Sequence, residues 1–208
     1  MNAHTQRLRI AGAAGVIEVM RDEPAEGTPV RGTAVIAHPH PLFGGSMDNK
    51  VVQTLARAFV QCGWSAVRFN FRGVGASEGV HDDGRGEALD MRGLIDQVAP
   101  VGPLALAGFS FGAFVTAQVA SDLWPGRPLE RLVLVGTAAS RFQVAALPPP
   151  LHERTLVVHG EHDDTVPLSA VMDWARPQIL PITVVPGGGH FFHGQLQLLK
   201  SLVVRHLC

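Results

Sequence analysis

Leu104-Ala-Leu-Ala-Gly-Phe-Ser-Phe-Gly-Ala113 is the stretch on which the reading of this 208-residue chain turns. Residues 104–107 form a short apolar run of the kind that makes a buried strand, and the apolar residues after Gly112 continue as a helix. Between them, Gly108, Ser110 and Gly112 place Gly-x-Ser-x-Gly at a strand-to-helix junction. A turn this sharp throws the serine out above the sheet in a strained backbone, and side chains at both flanking positions would strike neighbouring backbone. The helix behind Ser110 aims free N–H groups and the positive end of its dipole at any negative charge developing there. Phe111 N–H is the first such donor. The bland alternative is a small-residue packing turn, but a chance match has no reason to fall at this junction.

Outward from this turn, Val-, Leu- and Ile-rich runs at 8–10, 16–20, 33–37, 66–69, 131–135, 155–159 and 182–185 make eight candidate strands with 104–107. Helical periodicity lies between several of them. Val51, Val52, Leu55, Ala56, Phe59 and Val60 form one stripe on a helix begun near Asp48 or Asn49. Further helices are predicted over 87–98, 112–123, 169–176 and 195–207. The first two strands, joined by residues 11–15, are too close for a crossover and predict an antiparallel hairpin. The fold class is therefore α/β: a mostly parallel twisted sheet covered by helices on both faces, within a single domain over 1–208.

A serine hydroxyl is a poor nucleophile at neutral pH and needs an imidazole to take its proton and a carboxylate to orient that imidazole. Two loops follow parallel strands and supply both: Gly160-Glu-His-Asp-Asp-Thr-Val-Pro167 and Pro186-Gly-Gly-Gly-His-Phe-Phe-His193. Ligand sites of open α/β sheets lie at this strand edge. Asp163 and Asp164 compete as the acid, with loop capping as the ordinary role of such residues. His190 follows three glycines that let its loop bend toward Ser110, and His193 is its competitor.

Together with His38-Pro-His-Pro-Leu-Phe-Gly-Gly-Ser-Met-Asp-Asn-Lys50 and Phe69-Asn-Phe-Arg-Gly-Val-Gly-Ala-Ser-Glu-Gly79, these motifs resemble the α/β-hydrolase superfamily. The narrower resemblance is to small bacterial hydrolases marked by His-Pro-His-Pro, and it runs from about residue 32 to 195. It implies a chain order of Ser110, then Asp163 as acid, then His190 as base. It also implies a second oxyanion donor in the loop after the third strand. Pro39 and Pro41 have no N–H, which leaves His40 or Leu42, and the resemblance favours His40. The side chains of His38 and His40 have packing within a stiff loop as their ordinary alternative.

Relatives often carry a cap before the acid-bearing strand, but residues 136–154, with three consecutive prolines, are too few for a helical cap domain. An open, shallow site flanked by Leu42, Phe43, Phe109 and Phe111 is expected, suited to short or medium acyl esters. The reading is then a serine hydrolase, a carboxylesterase, with thioesterase, amidase or peptidase chemistry as the alternative and a non-catalytic binding domain as a third. No cofactor is implied. Gly73-Val-Gly75 begins like a dinucleotide fingerprint, yet Glu78 stands where the third glycine belongs. Arg72 either anchors that loop to a carboxylate or lies at the site mouth. Alternating His and Pro lack a third ligand for a metal.

Composition agrees with this class. Seventeen Lys and Arg against eighteen Asp and Glu give a net charge of -1, with no broad positive field for nucleic acid or an anionic membrane. No signal-like start or membrane-length apolar run is present, which points to the cytoplasm. Cys62 and Cys208 are expected to be free thiols.

Overall fold

The computed structural model describes residues 5–208. Thr5–Gly12 (β1) and Gly15–Asp22 (β2) form the antiparallel hairpin, with Leu8 opposite Val19. The later strands are Gly32–Ala37 (β3), Trp64–Phe69 (β4), Leu104–Phe109 (β5), Arg131–Val135 (β6), Thr155–Gly160 (β7) and Ile182–Val185 (β8). Among the described residues they make one sheet, ordered β1-β2-β4-β3-β5-β6-β7-β8. β2 pairs antiparallel with β4, and every pairing from β4 across to β8 is parallel.

The helices are Lys50–Gln61 (α1), Arg85–Val98 (α2), Phe111–Leu123 (α3), Leu168–Ala175 (α4) and Leu196–Leu207 (α5). α1 starts where its sequence requires: Asn49 caps it by accepting the Val51 N–H at 2.9 Å. The two-residue period of the strands divides the core in two. Val35, Leu106 and Leu134 face one cluster with α2, α3 and α4. Ile36, Ala107 and Val133 face the other with α1 and α5. Both faces of the sheet are thus covered, which is why its central strands read as unbroken apolar runs.

The order of the strands decides where a site can form. From β3 the chain crosses to β4 on one side and later returns to β5 on the other. The connections leaving the carboxyl ends of β3 and β5 therefore run to opposite sides, and this divergence opens a crevice. Residues 136–154, between β6 and β7, hold only the 3₁₀ turn Pro149–Arg154 and no cap domain.

The cysteines correct the expectation of two free thiols. Cys62 follows α1, Cys208 follows α5, and the two are joined in a disulfide with Cα atoms 5.9 Å apart. The helices lie side by side against the same core, a proximity hidden by 146 residues of separation. Among the described residues no helix is long and apolar enough to cross a membrane.

Candidate active site

Ser110 sits between β5 and α3 with φ 57° and ψ −116°, a conformation that costs a non-glycine residue about 1–3 kcal/mol. Its surroundings hold it there. Its N–H donates to Val135 O at 2.8 Å, and its carbonyl accepts from Ala113 and Phe114 N–H at 3.0 and 3.2 Å. The flanking glycines are required by contact: a Cβ on Gly112 would lie 2.5 Å from the carbonyl oxygens of Ala37 and His38, and one on Gly108 would strike the Gly112 carbonyl.

Ser110, His190 and Asp163, from three separate loops, meet in a row. His190 Nε2 lies 3.0 Å from Ser110 Oγ, and His190 Nδ1 lies 2.7 Å from Asp163 Oδ2. An ionised carboxylate only accepts, so Nδ1 carries the proton and Nε2 is left to receive the serine hydroxyl. Asp163 Oδ1 accepts from the N–H groups of Thr165 at 3.0 Å and Val166 at 2.7 Å. Burial alone would raise the Asp163 carboxyl, but hydrogen bonds from His190 and Val166 outweigh it and hold the group below its ordinary value. All three residues are buried, while His193 and Asp164 are exposed and stand outside this row.

Around the row, Phe109 packs against the His190 ring in a tilted arrangement with centroids 4.9 Å apart. Gly136, at φ 54°, comes so close that a Cβ there would lie 3.3 Å from His190 Cε1. His159 spans the acid loop, its Nε2 donating to Val166 O at 2.9 Å and lying 3.5 Å from Asp163 Oδ2. Neither Gly136 nor His159 was singled out from the sequence. Gly136 had a signal, a lone glycine closing a strand that neighbours the serine strand.

His38 is fully buried, with Nδ1 donating to Pro39 O at 2.6 Å and Nε2 accepting from Phe71 N–H at 2.9 Å. It is a strut between the loops after β3 and β4, and burial pushes its imidazole down to about 4 against the opposing Pro39 bond. The His40 ring packs against Phe111, His81 and Phe43 at 4.7 to 4.9 Å, and its Nδ1 accepts the Leu42 N–H at 3.3 Å. That bond withdraws Leu42 from the choice of oxyanion donor. Among the described residues, no acceptor engages the N–H of His40 or Phe111. Arg72 takes the first of its two readings, donating to Asp90 on α2 at 2.8 Å.

A cleft of about 340 Å³ opens over Ser110 and His190, with Phe43, Phe142 and Phe191 among its walls. Two expected wall residues are corrected. Phe109 is fully buried against the imidazole, because the strand's alternation turns it into the core, and Leu42, 71% exposed, is not among the residues that line the cleft. Arg141 and Phe142, from the loop read only as too short for a cap, take their place. A larger hollow of about 690 Å³, which shares no lining residue with this cleft, lies against α1 and the buried Arg68–Asp22 ion pair, so size alone does not mark the site. Among the described residues no group of three or more His, Cys, Asp or Glu is placed to hold a metal ion.

Comparison with known proteins agrees with the class that fold and site define, an α/β serine hydrolase without a lid. A family model described as serine aminopeptidase, S33, matches residues 29–156, and the chain belongs to this hydrolase family. A lidless α/β serine hydrolase from Xanthomonas campestris is 36% identical, superposes with a TM-score of 0.88, and is covered over 95% of its length by 100% of this chain. An α/β serine hydrolase homologue from Coxiella burnetii is 39% identical, with a TM-score of 0.83 and coverage of 98% of this chain and 97% of that one. An uncharacterized protein of Rickettsia prowazekii is 42% identical over 90 residues, which span 41% of this chain and 38% of that protein.

Proposed function

We propose that the protein is a carboxylesterase acting through an acyl-enzyme on short or medium acyl esters. The observation that carries this is the continuous Ser110–His190–Asp163 contact, 3.0 and 2.7 Å, at the floor of an open cleft. His190 takes the Ser110 proton as Oγ attacks the ester carbonyl, and the resulting oxyanion is held by the N–H groups of Phe111 and His40. His190 returns the proton to the departing alcohol, then activates the water that releases the acid. Asp163 keeps the imidazole in the required tautomer throughout.

The family's description favours one rival, cleavage of an amide next to a free amino terminus. Recognising an ammonium group calls for a carboxylate in the binding wall. Among the described residues no Asp or Glu lines the cleft, whereas Arg141 does, and this supports ester over aminopeptidase chemistry. A small-molecule substrate completes the reading.

A fluorophosphonate probe tests it. Covalent labelling of the wild type and none of Ser110→Ala is expected, with hydrolysis of short p-nitrophenyl esters falling by about 10⁴-fold or more in the variant. Failure to label either protein would favour a binding domain. Preference for aminoacyl amides over esters would transfer the triad to the rival chemistry, and a strong preference for long acyl chains would remove the short-acyl assignment.

A further inference from the structure

We infer that the cleft selects esters carrying an anionic group and that Arg141 is the residue that determines this preference. The inference rests on the ester-hydrolase reading above and names its substrate class.

Arg141 lies in the loop after β6, six residues beyond Val135, and lines the same cleft as Ser110 and His190. Its guanidinium stands over the Phe43 ring, 5.8 Å from the centroid. Among the described residues no carboxylate pairs with it and no acceptor takes its side-chain N–H groups. Arg68 and Arg72, by contrast, are each held by a buried carboxylate at 2.8 to 3.0 Å. Arg141 instead rests on an aromatic face, which positions a guanidinium without consuming its donors.

Among the described cleft-lining residues Arg141 is the one Lys, Arg, Asp or Glu. Asp163 is the nearest acid to the reacting atoms, and it is committed to His190 and two backbone N–H groups. Asp83 and Glu87 act on His40 in the opposite sense to Arg141, and both face His81, at 3.4 and 3.0 Å. The positive charge of Arg141 reaches as far as His40, whose imidazole is lowered by burial first and then by His81 and Arg141. Phe142 and Phe191 supply an apolar wall for the body of the substrate. An ester with an apolar or aromatic body and a carboxylate at one end matches this distribution. The planar guanidinium takes a carboxylate through two parallel hydrogen bonds.

Two pairs of esters matched in shape test the inference: 4-acetoxybenzoate against 4-acetoxybenzamide, and mono-4-nitrophenyl adipate against its primary amide. In at least one pair the anionic member should show about fivefold higher kcat/KM at low ionic strength, carried by KM and shrinking as salt is added, the size of a partly exposed ion pair. Arg141→Gln should bring that ratio to near one, and Arg141→Glu should take it below one. A wild-type ratio at or below one in both pairs overturns the inference while leaving the esterase reading intact, as does a ratio unmoved by Arg141→Gln. Hydrolysis of none of the four esters removes the esterase reading itself and this inference with it.

Discussion

Histidine is used here in two opposite ways. His190 is oriented by a carboxylate on one nitrogen and faces a hydroxyl on the other, whereas His38 has both nitrogens consumed by backbone and no route to a proton without breaking a bond. The consequence for His38 is a dependence of stability on pH. Its ordinary value is 6.5 and burial takes it to about 4, so between these limits the unfolded chain binds a proton that the native state refuses. Stability is complete above pH 6.5 and falls as pH drops toward 4. Between pH 7.5 and 5.0 this residue should account for about 2 kcal/mol. His38→Asn should be less stable than wild type at pH 7.5 yet lose less on going to pH 5.0 in urea denaturation, and equal losses would refute the assignment. Burial also lowers His159 and His206, so a residual slope of the same sign remains in the variant.

At the scale of elements, the β5–turn–α3 unit is braced against the exit of β3, and Gly112 is where they touch. The obstacle to a side chain there is backbone, the Ala37 and His38 carbonyls, which cannot swing aside. Gly112→Ala should therefore cost about 1–3 kcal/mol, the usual penalty for overpacking. Because the same shift displaces Ser110 from His190, hydrolytic turnover should fall further than stability alone explains. Thermal melts and ester kinetics on one preparation separate the two effects, and unaltered turnover would show that the brace does not position the serine. This unit was legible in the sequence because its determinants are local: an apolar run, two glycines, and a helix whose period begins at once. Phe109 shows the limit of that legibility. It is one residue from Ser110, yet the strand's two-residue alternation sends its ring into the core against the imidazole.

Across the whole molecule, the Cys62–Cys208 bond ties the ends of α1 and α5 and closes a loop of 146 residues. Cross-linking so long a segment restricts the unfolded chain, and reduction should cost about 2–5 kcal/mol. Thiol titration of the unreduced, denatured protein should find no free thiol, and Cys208→Ser should melt at the temperature of the reduced wild type. Two free thiols in the purified protein, or a melt indifferent to reductant, would count against the bond as a stabilising element.

The linear chain by itself determined the class of fold and the strand-to-helix serine turn, because strand period, helix period and glycine-bearing turns are read over a few residues, whereas the choice of Asp163 over Asp164 and of His190 over His193 came from the resemblance to a family. It left open which histidine nitrogen meets which partner, and it missed Arg141, Phe142, Gly136 and the cysteine pairing. Those depend on strand order. Only when β3 sits between β4 and β5, and β6 beside β5, do loops distant in sequence meet over one crevice. Only when α1 and α5 share one face of the sheet do their ends meet. Contacts of this kind arise from burying two sides of one sheet at once, a condition on the whole chain that no short window of residues contains.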